Sequence, residues 1–345
     1  MKPTSQRYYT VAHGFALAAV LWLMAGLSIV VALVADSAKT SAERVAQLRE
    51  RTEFVRSALS GRAEAQYWLS AARPRVADFF DGTTSVLADG TPYQTDDNNI
   101  QSIQDHGGLI NLNAVNRELV TRFLLVCGVP VEQAPFLVDA LEDYTDSDDL
   151  RRINGAERDT YSAEGLRPPR NSPLLSESEV WEVFGWSSHR DSFTRNGCNN
   201  SLTVLGQINM LGSSLNLATA PVVVLKAVGL SDEIIQDMAV ARDNAEKIAE
   251  RTAQNNQLLG NGGLFGGAGG IQVQKVLRIT HRHPTGPWRM TYTLELDPEN
   301  DDRPWRISQP TISSEIASTG TLKPLPWPKQ PPIFTPSDVS RILSF

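Results

Sequence analysis

The residues in this 345-residue chain best suited to chemistry are the carboxylates Asp139, Asp143, Asp146, Asp148, Asp149 and Glu157. Asp139, Asp143 and Asp146 are spaced i, i+4 and i+7, which puts them on one face of a helix. Carboxylate oxygens beside Asn154 and backbone carbonyls are the hard donors that calcium takes. The spacing is not that of an EF-hand, and a run of like charge is also what a solvated helix face looks like. Calcium is the only cofactor to which these residues point. The histidines are His13, His106, His189, His281 and His283. His281 and His283 share a strand face, but no Cys or carboxylate is placed to complete a zinc site. Nothing presents a nucleophile elbow. The chain reads as non-enzymatic.

The elements that position these residues begin with Phe15–Ala35, 21 residues without charge or proline. As a helix the run is about 31 Å long, at about 1.5 Å per residue, which matches a bilayer core. Lys2, Arg7 and His13 precede it; Asp36, Lys39 and Glu43 follow. The positive-inside bias puts residues 1–13 in the cytoplasm and the bulk of the chain outside the inner membrane, as a single-pass protein. A secretory signal would be shorter and end at a small-x-small cleavage site. This run instead continues into a helical pattern from Ser41 to Ala72, with Leu48, Val55, Leu59, Ala63, Tyr67 and Ala71 as its apolar stripe and Pro74 as its stop. One helix of roughly 55–60 residues is expected. Outside the cytoplasm Cys127 and Cys198 can be oxidised to a disulfide. Cys127, in FLLVCGV, reads equally well as a buried thiol, whereas Cys198 lies in a polar NGCNN loop.

An internal repeat follows. GLINLNAVNRELVTRFLLVCGV and SSLNLATAPVVVLKAVGL align at Asn111-Leu112 and Asn216-Leu217. Each unit reads as helix, tight turn, helix. Asn113 and Thr219 are the expected N-caps, Gly128 and Gly229 the terminators, and Pro130 and Ser231 the starts of the second helices. The pair resembles helix-hairpin-helix units, which often bind DNA phosphates through backbone N–H groups. Here Pro130 removes a donor, and Glu132, Asp232 and Glu233 put negative charge where a phosphate would sit. With a net charge of -7, nucleic acid is not an expected partner.

Residues 75–105 hold short β-like pieces, with turns expected at Asp81-Gly82, Asp89-Gly90 and Thr91-Pro92. Residues 254–270 form a Gly/Asn-rich linker rather than a phosphate loop. Strict alternation then predicts strands: Ile271, Val273, Leu277 and Ile279 on one face, later Met290, Tyr292, Leu294 and Leu296. His283–Pro287 is the turn between them, and Trp305 and Ile307 suggest a third strand. The Pro-rich tail from Gln309 favours extended polyproline structure, disordered or docked on a partner. TPSDVSRILSF reads as a short helix capped by Thr335 with Asp338.

The Gly14–Phe15 junction resembles that of type IV pilin-like precursors. That resemblance implies cleavage between Gly14 and Phe15 by a prepilin peptidase, with methylation of the new terminus; an uncleaved signal anchor is the alternative. Pilins carry Glu at the fifth mature position, where this chain has Ala19. The missing Glu, the acidic run, Asn154-Gly155-Ala156-Glu157, Tyr161, Ser176–Glu179 and Gly185-Trp186 are similar to the minor pseudopilin K family of type II secretion, over residues 12 to about 307.

The resemblance implies an α+β, type IV pilin-like fold: a long N-terminal helix packed on an antiparallel sheet, with a large inserted all-α domain containing the two helix-hairpin-helix-like units. The expected parts are a leader (1–14), a transmembrane half-helix (15–35), a first pilin-like part (36–106), the insertion (107–250), a linker (251–270), late strands (271–308) and the tail (309–345). It further implies bound calcium and a tip position in the pseudopilus, serving protein export across the outer membrane. The partners it implies are minor pseudopilins I and J, other pseudopilus subunits and prepilin peptidase. Small positions Ala18, Ala19, Ala25, Gly26 and Ser28 would admit neighbouring helices. A membrane-tethered DNA receptor and a minor pilin of a related filament are the alternatives.

Overall fold

The structure is a computed structural model that describes residues 14–205, 215–241, 272–297, 304–308, 310–314 and 323–328. Leader residues 1–13, the Gly/Asn-rich linker and the expected helix from Thr335 lie outside the described residues. The chain divides into two units, Met1–Arg56 and Ser57–Phe345. Helix α1 (Gly14–Ala71) is 58 residues long. In the first unit its apolar side chains are exposed: Leu17, Trp22 and Leu33 keep 71%, 80% and 65% of their surface. The helix is long and apolar enough to cross a membrane.

The second unit begins with residues 57–71 of α1. A small sheet follows, of β1 (Arg73–Pro74), β2 (Asp78–Phe80) and β3 (Ser85–Leu87) in that order. Next come β4 (Asp89–Asp96), β5 (Asn99–Asp105) and β6 (Ile110–Asn111). The helical stretch holds α2 (Arg117–Val126), α3 (Ala134–Thr145), α4 (Arg158–Ala163), α5 (Arg190–Arg195), strand β7 (Leu202–Thr203), α6 (Val222–Val228) and α7 (Asp232–Ala241). The late strands are β8 (Val276–Arg282), β9 (Trp288–Leu296), β10 (Trp305–Ile307), β11 (Thr311–Ser314) and β12 (Leu325–Pro326). The main sheet has the order β10-β9-β8-β5-β4-β12, with β11 also on β9. Its early strands β4 and β5 therefore meet β8 and β9 across the helical stretch, β5 and β8 pairing antiparallel from Ile100↔Arg282 to Asp105↔Leu277.

Three local expectations are corrected. First, the apolar stripe of α1 is not its packed face. Leu59 and Tyr67 are 40% and 39% exposed, and Ala63 and Ala71 are exposed too. Ser57, Ala58, Gly61, Ala65, Trp68 and Leu69 are buried instead. The cause is a polar seam on the sheet beneath the helix. Asn99, Gln101 and His281 rise from β5 and β8, and a Cβ on Gly61 would meet Asn99 Nδ2 at 2.6 Å. Small residues let the backbones approach, and Ser57 donates to Asp96. His281 is stacked on Tyr292 and bonded to Asn99, and burial and Arg62 push its pKa down to about 3.

Second, Asp89-Gly90 and Thr91-Pro92 lie inside β4, where a bulge shifts the register between Asp89 and Pro92. The turn comes later, where Asp96 Oδ1 accepts from Asn98 N at 2.7 Å. Third, the tail is not solely extended polyproline, since β11 and β12 join the sheet and Trp327 is buried.

The two repeats fold alike. Asn111 Oδ1 accepts from Asn113 N at 2.9 Å, and Asn216 Oδ1 from Ala218 N at 3.1 Å. Gly128 and Gly229 take φ of +84° and +100°, the left-handed conformation that ends a helix at little cost for glycine. The next residue then bonds back: Val129 N to Leu124 O at 3.0 Å, and Leu230 N to Leu225 O at 3.2 Å. Helices α2 and α6 pack on each other, and Leu124, Phe123, Val224 and Leu225 lie in one buried cluster. Ser231 caps α7, its Oγ accepting from Ile234 N at 3.4 Å.

The expected caps of the first helices are wrong. Asn116 caps α2, accepting from Leu119 N at 3.1 Å, and Pro221 occupies that place in α6. Asn113 is occupied elsewhere: its amide donates to Leu174 O and Val204 O and accepts from Leu174 N. Thr219 donates to Asp105 at 2.9 Å.

Candidate metal centre and its surroundings

Helix α3 carries Asp139, Glu142 and Asp143 and ends at Asp146, whose N–H reaches Glu142 O at 2.9 Å. The chain then turns through residues 147–156 and returns Glu157 to the same place. Two arginines, which sequence reasoning did not single out, claim part of the acidic face. Arg117, from the start of α2, bonds Asp139 and Glu142. Arg152 reaches Glu142 at 2.8 Å, Asp143 at 2.6 Å and Asp146 Oδ2 at 2.5 Å. Asn154 adds two donors to Asp139. Arginine's fork suits such pairing. Burial, the largest single influence, pulls the Asp139 carboxyl upward, but the hydrogen bonds and charge of Arg117, with the hydrogen bonds of Asn154, hold it below its usual range.

Gly155 packs against the Asp143 carboxylate, with no room there for a Cβ. Asp149 Oδ1 accepts from Asn171 at 3.0 Å. Of the six candidate residues, Asp139, Asp143 and Asp149 are engaged within the protein, as are Asp146 Oδ2 by Arg152 and Asp148 Oδ1 by Leu150 N at 2.8 Å.

Asp146, Asp148 and Glu157 nevertheless converge. One oxygen of each lies within 4.8 Å of the others, a grouping that could hold a metal ion. Both oxygens of Glu157 and Asp146 Oδ1 are buried with no hydrogen-bond partner. Burial first, then the charges of Asp143, Asp146, Asp149 and Asp148, push the Glu157 carboxyl up to about 7. A buried, unpaired carboxylate is costly, and a divalent cation removes that cost. The donor set fits calcium: hard oxygens only, on a loop able to supply carbonyls as well. Acidic residues separated by a turn were legible in sequence; which of them the arginines neutralise was not, although Arg151-Arg152 stands inside the run.

Cys127, at the end of α2, and Cys198, after α5, are joined in a disulfide, and both are fully buried. Ser192 Oγ and Asn196 Nδ2 donate to Cys127 O at 2.8 and 2.9 Å. The bond ties the first helical pair to the α5 segment, across 71 residues. At its N-terminal end α1 begins at Gly14, and Ala19 lies on its exposed apolar stretch. The phosphate-binding hairpin expected of a DNA reader is poorly furnished: Asp232 pairs with Lys226 at 2.9 Å, and Pro130 offers no N–H.

A long apolar N-terminal helix joined to a mixed helix-and-sheet body is the class this fold defines. Residues 98–190 match the family described as type II secretion system (T2SS), protein K. A chain in the crystal structure of the GspK-GspI-GspJ complex from the enterotoxigenic Escherichia coli type 2 secretion system is similar in fold. It has a TM-score of 0.51 and 16% identity, over 79% of this chain and 100% of that one. No curated protein matches. With the motifs read above, these findings support a minor pseudopilin K of type II secretion; the DNA-receptor alternative is not favoured.

Proposed function

We propose that this protein is the minor pseudopilin at the tip of the type II secretion pseudopilus, where it initiates or caps assembly for protein export across the outer membrane. The observation that carries the reading is the protein K match at residues 98–190, in a chain that begins with an exposed apolar helix. The helix anchors in the inner membrane with residues 1–13 inside and the body in the periplasm. The action is mechanical and organisational rather than enzymatic. The bulky, mostly helical stretch, read as an inserted domain with two helix-hairpin-helix-like units and the short β6–β7 pair, would clash with any subunit stacked above it.

The solved complex brings together GspK, GspI and GspJ; I- and J-type pseudopilins are accordingly the partners proposed here. Leu59 and Tyr67, exposed apolar positions on α1, suit docking with their helices. Photocrosslinkers at positions 59 and 67, in membranes holding all three subunits, should capture I or J. Their absence from every adduct would remove the tip-complex reading.

Prepilin peptidase is proposed to cut between Gly14 and Phe15, and intact mass of the membrane-bound protein decides this. Ala19, where pilins have Glu, leaves this subunit unable to neutralise the terminal amine of a preceding one, which suits a first subunit. Ala19→Glu would bury an unpaired charge in lipid at a cost of roughly 2.5–3.5 kcal/mol and should impair tip assembly. Asp146, Asp148 and Glu157 are the residues proposed to hold calcium, which when bound would neutralise the site and cross-link the loop after α3. Asp139, Asp143 and Asp149 brace that loop.

A further inference from the structure

Residues 323–328 read Lys-Pro-Leu-Pro-Trp-Pro, with proline at every second position. Two of these residues form β12, which pairs in parallel with β4, Leu325 opposite Tyr93 and Pro326 opposite Gln94. Trp327 N–H donates to Gln94 O at 3.1 Å. Successive N–H groups of a strand point to opposite sides. Leu325 and Trp327 therefore turn their N–H groups toward β4. Pro324, Pro326 and Pro328 occupy the positions whose N–H would face away, and proline has none. One side of this strand pairs with the sheet, and the other offers no donor to any further strand.

The side chains complete the arrangement. Trp327 is 8% exposed. Its ring lies 6.0 Å from that of Trp68 on α1 and 5.7 Å from that of Tyr93 on β4, edge-on to both. Edge-on contacts are favourable for aromatic pairs. Tyr93 is fixed in turn, its hydroxyl accepting from Leu87 N at 2.8 Å. The slot has one wall on α1 and one on the sheet, so its occupant pins the helix to the sheet.

We infer that the β4 edge and the Trp68–Tyr93 slot form a docking site for a proline-alternating tryptophan segment, filled in cis by residues 323–328 of this chain. The segment clamps residues 57–71 of α1 to the sheet. It also closes the edge against strand addition from another molecule, a use of proline suited to sheet edges. The inference is independent of the secretion reading.

Hydrogen exchange on the full chain in detergent tests it without any variant. The Trp327 and Gln94 amides should be protected, and exchange of Trp327 at the rate of an unstructured peptide would overturn the proposal. Trp327→Ala should speed exchange at Tyr93 and Gln94 by about tenfold or more. A chain ending at Gly320 should show the same loss and self-associate with rising concentration. A synthetic peptide of residues 321–330 should restore protection to it, and the same peptide carrying Trp327→Ala should not. Unchanged protection at β4 in the truncated chain, or equal rescue by both peptides, would refute the site. Pro326→Ser, which returns an outward N–H, should leave protection at Gln94 intact while raising self-association. A monomer indistinguishable from the parent chain would refute edge closure.

Discussion

The two helical pairs share a skeleton and differ in what they hold, most plainly in the buried carboxylate beside each. Asp105, next to the second repeat, receives four donors: Gly107 N, Gln274 N, Asn216 Nδ2 and Thr219 Oγ1, at 2.8 to 3.1 Å. Glu157, next to the first repeat, receives none on either oxygen. Burial raises the pKa of both. One carboxylate is completed by the protein and joins the second pair to β5 and the entry to β8. The other has no hydrogen-bond donor on either oxygen. The difference teaches that burial and a raised pKa do not mark a ligand site by themselves; the two carboxylates differ in whether the protein supplies their donors.

The largest effect should come from breaking the completed site. Asp105→Ala strands two backbone N–H groups and two side-chain donors, which should cost about 4 kcal/mol or more at about 1–3 kcal/mol for each unsatisfied group. Thermal or denaturant unfolding measures it. Calcium should not change the loss, and a calcium-dependent loss would merge the two sites that the comparison separates.

Next is the covalent tie that only the first pair possesses. Replacing both Cys127 and Cys198 by Ser opens a cross-link between residues 71 apart. The chain-entropy relation puts that at about 4 kcal/mol. The loss should appear first as faster exchange in α2 and α5, with α6 and α7 following only at global unfolding. Equal loosening of both pairs would show that they open as one.

Glu157→Gln should change sign with conditions. In excess calcium the variant loses a ligand, and with it stabilisation of about 2.7 kcal/mol at a hundredfold excess over Kd. In chelator it removes a buried, unpaired charge and should be as stable as the parent chain or more so. Asp105→Asn, by contrast, should destabilise in both. Calcium titration followed by melting temperature separates the cases, and identical calcium responses of Glu157→Gln and the parent chain would eliminate Glu157 as a ligand.

Much of this was legible in the sequence. Gly128 and Gly229 report local backbone geometry, and both end their helices in the left-handed conformation, although the expected caps Asn113 and Thr219 do not form. Alternation located β8 and β9, because one face of each is buried. Elements that depend on distant partners were not legible. Leu59 and Tyr67 outweigh Gly61 and Ala65 in hydrophobicity, yet the small residues face the sheet, because what decides is the approach allowed over Asn99 and His281. The arginines that neutralise Asp139 and Asp143 come from another helix and from beyond a turn. The prolines at 324, 326 and 328 spell a polyproline segment until β4 is known to lie beside them.

The smallest effect tests this limit at the two asparagines that begin the first pair. By sequence, Asn113 is the natural cap of α2. In the structure Asn116 caps it by accepting from Leu119 N, while Asn113 holds Leu174 and Val204 with three bonds. Asn116→Ala should cost about 1 kcal/mol, the usual worth of an N-cap. Asn113→Ala leaves Leu174 N–H and two carbonyls without their partner and should cost about twice as much. The second repeat supplies the control, since Pro221 stands at the cap and no side chain bonds there. Pro221→Ser should therefore gain a few tenths of a kcal/mol, if the new hydroxyl caps α6 without loosening its start. Paired melting curves order the three variants. If Asn116→Ala proved costlier than Asn113→Ala, the cap rather than the long-range bracket would hold the first pair in place, and the two repeats would differ less than their hydrogen bonds indicate.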